Sequence, residues 1–511
     1  MKHDTVKPLS ATQFARWVWR QITSMKTAIM LLLLLALASI PGSLLPQLSV
    51  DPQKVAGYRL AHPQLSTLVE RLGLFSVYSS VWFSAIYILL MVSLVGCIVP
   101  RTGVYFRAVR ARPPRAPAIM SRLPISRSFE TDSTPEQVLE ATSGALHKRR
   151  YRVDVAEGEV RAETGYLREL GNLVFHISLL VVIVGVAIGG LYGYRGAVIV
   201  TEGVGFSNTI TQYDEFNSGL RFNRDSLPQF SLALKDMQAR FQLSGPQRGA
   251  PRKFEAIGQY SAPGSSPKSF DITVNHPLKI GSTNVYLVGQ GYSPVIRIRD
   301  GRGKVAFEGA VPFLPTDGSY TSTGVIKVPD ARPTQLGFQG FFLPTAVAVG
   351  SGPPVSAFPA AANPLLGLLA YNGDLGLDDG TPQSVYVLNK NRLNLITKAD
   401  GSPLRLNLSP GQTADLPEKK GSIEFVGLRQ FARLQIASTP AAGLPLLGTS
   451  LGLLGLIVSL MVRPRRLWIK ARRHNGRTVV EVAGLSRVSR GNLEAEINGL
   501  VEAIRSGTQS V

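Results

Sequence analysis

The sequence predicts a helical membrane protein: four transmembrane helices, a large all-β extracytoplasmic domain, and small cytoplasmic α/β segments. Three observations lead there. Apolar residues make up 44% of the 511, and they gather in four runs although the mean hydropathy is only +0.11. Lys and Arg crowd one side of those runs. The long stretch between the third and fourth runs alternates like strands and carries almost no helical periodicity.

A helix needs about 20 mostly apolar residues to cross the hydrocarbon core. The four runs meet that length at residues 25–45, 81–100, 170–191 and 444–462. The first has a rival reading as a signal peptide, because Ala36-Leu37-Ala38 resembles a cleavage site. Its long leader and the continuation of the run past that site favour a span. Ahead of it, residues 1–24 hold an amphipathic stretch mixing Phe14, Trp17 and Trp19 with Arg16 and Arg20. That composition suits a helix lying in the interface or an aromatic belt for the span.

Orientation follows from the basic residues near the span ends. Residues 1–26 carry five basic and one acidic residue, 101–129 seven and none, and 463–511 ten and four. The loop 46–80 carries three basic and two acidic residues. Both termini and the 101–169 segment are therefore expected in the cytoplasm, with 46–80 and 192–443 outside. The basic runs also account for the net charge of +21 as topology signals and contacts to anionic lipid. No nucleic-acid partner is expected. With Cys97 the single cysteine, a disulfide framework and a CxxC pair are both excluded.

Within 101–169, a basic segment leads into a small module. Ser133-Thr134-Pro135-Glu136 reads as a helix start, with the helix running to about Lys148. A strand pair turning at Glu157-Gly158 follows. In 192–443 the runs SFDITVNHPLKI, NVYLVGQGY, VIRIRD and SIEFVGLRQFARLQI suggest one or two β-sandwiches or open barrels. Asp300-Gly301-Arg302-Gly303 reads as a hairpin turn, and residues 345–377, rich in Pro, Gly and Ala, as a long loop or insertion. The cytoplasmic tail, 463–511, contains a strand, RTVVEVAG, and a helix from Asn492 to Ile504.

One ionisable side chain lies inside a span, where such groups tend to be functional. His176 sits about six residues from the cytoplasmic end of the third span, with Asn172, Leu179 and Leu180 on its face. Gly185 and Gly189 form a ridge for close helix packing. His176 has three readings: a haem or metal axial ligand, a proton relay, or a structural hydrogen-bonding group. A relay needs acidic partners that no other span supplies. A metal ion needs more ligands than this region offers, whereas a haem needs one or two imidazoles and an apolar slot. The haem and structural readings both stay open. Arg168 and Glu169 border the span, and Arg168 reads either as an interfacial anchor or as the partner of a haem propionate. Cys97 reads as a small buried residue or a haem-facing one, and His276 as a structural residue at a strand end. Ser/His/Asp, P-loop, GxGxxG and HExxH patterns are absent, and no catalytic residue is expected.

Several blocks carry a family resemblance: SMKTAIMLLLLLALASIPGSLLPQ, YSSVWFSAIYILLMVSLVGCIVPR, GYLRELGNLVFHISLLVVIVGVAIG and VNHPLKIGSTNVYLVGQGYSPVIRIRDGRGKV. Together they resemble the ResB family of system II cytochrome c biogenesis proteins. The resemblance implies one half of a membrane cytochrome c synthetase. A ResC/CcsA-type partner would complete it, carrying a tryptophan-rich motif that this chain lacks. The pair would move haem across the plasma membrane and attach it to the CxxCH motif of apocytochrome c, served by a thioredoxin-like thiol reductase. The resemblance further implies a transient haem b shared with the partner, with His176 as one axial ligand and Arg168 at a propionate. A different class remains in competition: a membrane-anchored β-domain sensor or assembly scaffold without haem. A transporter is disfavoured, since the spans show no inverted repeat.

Overall fold

The computed structural model describes residues 10–50, 52–350, 352–380, 383–486 and 493–509. Expectations for residues 1–9 and for Asn492 lie outside the described residues. The chain divides into two compact units, Met1–Val186 with Gly443–Val511, and Ala187–Ala442.

The first unit opens with α1 (Ala11–Ile22), started by a capping box in which Ser10 and Gln13 satisfy each other's backbone N–H. None of its residues is buried, and Phe14, Trp17 and Trp19 stand half exposed. A short break at Thr23-Ser24 leads to α2 (Met25–Leu44), which is apolar all round. The following segment is more ordered than a plain loop. It forms α3 (Pro52–Ala61), α4 (Pro63–Arg71) and a 3-10 turn. Buried Gln47 ties it together: its amide donates to the Leu74 carbonyl at 3.0 Å and accepts the Val77 N–H at 3.1 Å.

Next comes α5 (Val81–Arg110). Its 30 residues extend about 45 Å, well beyond a hydrocarbon core of about 30 Å. The expected boundary fell at Pro100, but the helix passes through it. It stops only at Ala111, ahead of Pro113-Pro114. After α6 (Pro135–Lys148) come α7 (Leu167–Tyr192) and α8 (Gly443–Met461). Helices α2, α5, α7 and α8 are long and apolar enough to cross a membrane.

Helices α7 and α8 meet along small residues. A Cβ added at Gly171 would lie 2.6 Å from the Gly455 carbonyl oxygen, and one at Gly452 would lie 2.6 Å from Ser178 Oγ. Gly448 abuts the Ser178 carbonyl, and Gly185 abuts Pro445 and Leu444. The seam is therefore Gly171, Ser178 and Gly185 against Gly448, Gly452 and Gly455. Gly185 belongs to it as expected, but Gly189 meets Thr439, just ahead of α8.

The small module and the C-terminal tail, separate in the sequence, are joined in the structure. One antiparallel five-stranded sheet runs in the order Ile125–Thr131, Arg477–Ser486, Arg465–His474, Glu159–Thr164, Arg152–Ala156. Helices α6 and α9 (Leu493–Gln509) pack on it through Val138, Leu146, Ile497 and Leu500. The Thr134–Gln137 capping box starts α6, and Glu157 and Gly158 take left-handed backbone at the strand turn. The strand Arg465–His474 escaped notice because its polar residues break the alternation. Its Lys470 is nonetheless buried, with Nζ donating to the Pro117 carbonyl at 3.1 Å, and Trp468 Nε1 donates to the Pro114 carbonyl at 2.9 Å.

The second unit is built of strands. Thr283–Asp300 and Gly421–Ser438 pair along their whole length and form the spine of a seven-stranded sheet. One half of the spine buries Ile296, Ile298, Ile423 and Phe425 against a six-stranded sheet carrying Ile326, Phe338 and Leu366. The other half buries Val285, Leu287, Leu434 and Ile436 against a four-stranded sheet carrying Leu234, Met237 and Ile272. Two sandwiches thus share one sheet. The 345–377 stretch is not simply a loop. Its Leu365–Gly373 segment is an inner strand of the six-stranded sheet, with Leu366, Leu368 and Ala370 buried. A fully buried strand reads as a continuous apolar run without alternation, and its Pro- and Gly-rich flanks gave it the look of a loop.

Asp300 closes the expected hairpin. Its Oδ1 accepts the N–H groups of Arg302 and Lys304, and Oδ2 accepts that of Arg332. Burial opposes ionisation there, yet these donors and the Arg302 charge hold the carboxyl below its usual range.

The packing and the turn each lead to a measurable outcome. Gly455→Val overpacks the α7–α8 seam and should destabilise the protein by about 1–3 kcal/mol, seen as a lower melting midpoint in detergent. Gly190→Ala, with nothing within 4 Å of its added Cβ, should leave that midpoint in place. For Asp300, a folded value below the unfolded one means its contribution is present above about pH 3.9 and is lost as pH falls through the folded value. Asp300→Asn should lower the midpoint at neutral pH and flatten the acid limb of the stability profile. An unchanged acid limb by calorimetry would show that the turn contributes nothing.

Candidate functional site

Helix α7 has a second face, turned away from its glycine seam. Glu169, Asn172, His176, Leu179 and Ile183 recur at alternating steps of three and four residues, which places them in one stripe. On α5 a matching stripe runs Leu90, Leu94, Cys97, Arg101 and Tyr105, and α2 contributes Met25, Ala28, Ile29 and Leu32. These three stripes line one cavity of about 860 Å³, a size suited to a sizeable small molecule. Its walls are mostly aliphatic. The polar side chains are few: Thr23, Cys97, Arg101, Tyr105, Glu169, Asn172 and His176.

His176 is half buried, with the Phe175 ring edge-on at 5.2 Å between centroids. Its Nδ1 lies 2.7 Å from the Asn172 carbonyl oxygen. A carbonyl only accepts, so Nδ1 is the donor, and in a neutral ring the lone pair then lies on Nε2. Orientation of one ring nitrogen by a backbone carbonyl is how metal-binding imidazoles are commonly set.

The break between α1 and α2 contributes Thr23 to the cavity wall. Cys97 Sγ donates to the Thr23 carbonyl at 3.0 Å, and a Cβ at Gly96 would collide with Thr23. Cys97 is therefore a partly exposed wall residue that also fastens this break. At the charged end, an Arg101 guanidinium nitrogen lies 3.7 Å from Glu169 Oε2, and both side chains are more than half exposed.

The structure distributes the sequence candidates unevenly. His176 and Cys97 share the cavity. Arg168 does not line it; it borders a smaller space of about 150 Å³ with Tyr105, Glu163, Tyr166, Glu169 and Arg466. His276 sits in a tight turn of the β unit, its N–H donating to the Thr273 carbonyl at 3.0 Å beside left-handed Asn275. Among the described residues no cluster of three or more His, Cys, Asp or Glu could hold a metal ion. Arg101 and Tyr105 were missed because the second span was ended at Pro100. Continuing the α5 stripe past that proline by steps of three and four would have found both.

The site can offer one neutral imidazole nitrogen to an iron centre, within an apolar slot that has an arginine at one end. Comparison with known proteins places the chain among relatives. It is similar to a protein named cytochrome c biogenesis protein CcsB from Synechococcus sp. strain CC9311, at 28% identity over 276 residues, covering 53% of this chain and 59% of the relative. A protein of the same name from Prochlorococcus marinus strain MIT 9313 is 27% identical over 271 residues, covering 52% and 59%. One from Thermosynechococcus vestitus is 26% identical over 321 residues, covering 60% and 67%. The chain thus spans less than two thirds of the length of the first two relatives. The profile of the ResB-like family matches residues 25–498, nearly the whole sequence, and the chain belongs to that family.

Proposed function

We propose that this protein is a subunit of a membrane complex for cytochrome c maturation, and that its α2–α5–α7 cavity holds haem b in transit. The observation that carries the reading is the His176 imidazole, which brings an Nε2 lone pair to an apolar cavity of about 860 Å³. The names of the relatives support the process.

The residues fit the group. His176 would bind iron through Nε2, with the Asn172 carbonyl holding the ring in register. Leu94, Phe175, Leu179 and Ile183 would exclude water from the macrocycle. Haem supplies the redox-active iron and the vinyl groups that end on the cytochrome; this chain supplies the hold. A ResC/CcsA-type partner would bring the second axial ligand and the ligation site, with a thioredoxin-like thiol reductase keeping the CxxCH thiols reduced. The charge pattern supports a cytoplasmic α/β module and termini, with the β unit extracytoplasmic. There it would hold unfolded apocytochrome c, by strand addition at a sheet edge.

The test is a reduced-minus-oxidised spectrum of the complex purified after co-expression with its partner. Wild type should show a Soret band and sharp α and β bands. His176→Ala should lose most of the haem, and His176→Gly should regain it when imidazole is supplied. Haem content and cytochrome c maturation that both survive His176→Ala would refute the assignment. A complex without haem in the wild type would favour the scaffold reading.

A further inference from the structure

The charged end of the cavity has a role of its own, which rests on the reading of the cavity as a porphyrin slot. We propose that Arg101 receives the carboxylate edge of the bound porphyrin, and that Glu169 is the internal stand-in it leaves when the ligand arrives. Arg168 takes no part.

The cavity is polarised along its length. His176 and Glu169 lie on one stripe of α7, seven residues apart, which is about 10 Å along the helix axis. On the facing helix, Arg101 stands one turn past Cys97. A ligand whose iron meets His176 therefore has its periphery two turns away, at Arg101. Haem has that geometry: its iron is at the centre and both propionates lie on one edge. Arginine suits the task because its planar fork grips a carboxylate through two parallel N–H groups.

The contact that Arg101 now makes is easily exchanged. It is a single approach at 3.7 Å between side chains more than half exposed, and such surface pairs are weak and screened by salt. Glu169 thus neutralises Arg101 at the charged end of a mostly aliphatic cavity without holding it firmly. A propionate that engages both arms of the guanidinium replaces a poor carboxylate partner with a better one. Arg168 lines the adjoining 150 Å³ space, which shares Tyr105 and Glu169 with the cavity, and is not itself among the cavity's lining residues.

The test uses the full-length protein in lipid nanodiscs and two metal-free probes, protoporphyrin IX and its dimethyl ester, followed by porphyrin fluorescence anisotropy. Neither probe contains iron, so the measurement does not depend on His176. Wild type should prefer the dicarboxylate. Arg101→Gln should weaken dicarboxylate binding about tenfold, the loss of one charge-assisted contact, and leave ester binding unchanged, which also shows that the variant is folded. Arg168→Gln should change neither. Glu169→Gln should tighten the dicarboxylate alone. If Arg101→Gln does not accumulate, Arg101→Lys, which keeps the charge and loses the fork, should show a smaller loss of the same preference. An unchanged dicarboxylate-to-ester ratio in the Arg101 variants overturns the assignment, as does a Glu169→Gln protein that binds no tighter. Failure of wild type to bind either probe overturns this inference together with the slot. A retained ratio shift beside haem spectra indifferent to His176 leaves Arg101 in place and removes only the axial-ligand reading.

Discussion

The close contact between α7 and α8 is the constraint on which the helical part of the chain depends. Apolar helices in lipid gain little from hydrophobic burial against each other and rely on close packing of small residues. Here glycines bring backbone against side chain and carbonyl along the whole seam. An antiparallel strand pair closes one end, where Thr164 pairs with Arg465 as the chain enters α7 and leaves α8. The Asn172–His176 stripe lies on the other face of α7, with α2 and α5.

The site follows from this arrangement. A single imidazole in an apolar wall would be an isolated polar group, which is costly in a medium without water. The Asn172 carbonyl meets half of its need, and Nε2 is left for a ligand. Among the described residues His176 is the one histidine in the cavity wall, so a ligand there meets a single imidazole from this chain.

Much of this was legible in the sequence for reasons that are local. Hydropathy located the four apolar helices, because an uninterrupted run of about 20 apolar residues matches the thickness of a bilayer and little else in a folded chain. Thr134-Pro135 marked the start of α6, and Glu157-Gly158 and Asp300-Gly301 marked turns, since cap and turn chemistry is written in adjacent residues. His176 stood out as the one ionisable group inside a run. What stayed hidden was non-local or disguised. The strand Arg465–His474 pairs on one side with Arg477–Ser486 through a local turn at Asn475-Gly476 that went unread, and on the other with Glu159–Thr164 about 300 positions earlier, which no short window reports. Leu365–Gly373 is buried on both faces and so has no alternation. Arg101 was lost because the span was bounded by its apolar run, which ends at residue 100, whereas the helix continues to Arg110. The role of Cys97 depends on a carbonyl 74 positions away, which only a structure supplies.

The divided α/β module has a consequence for biosynthesis. Its first three strands and α6 are made early, but Arg465–His474, the strand that sits between the two halves of the sheet, emerges only after α7, the entire β unit and α8. Chains acquire structure from the N-terminus during synthesis, so Glu159–Thr164 must wait with an open edge, and unpaired edges invite the wrong partners. Glu159–Thr164 gains this partner only once α8 has been made, so closure of the sheet is a late event that conceals an edge left open through most of synthesis.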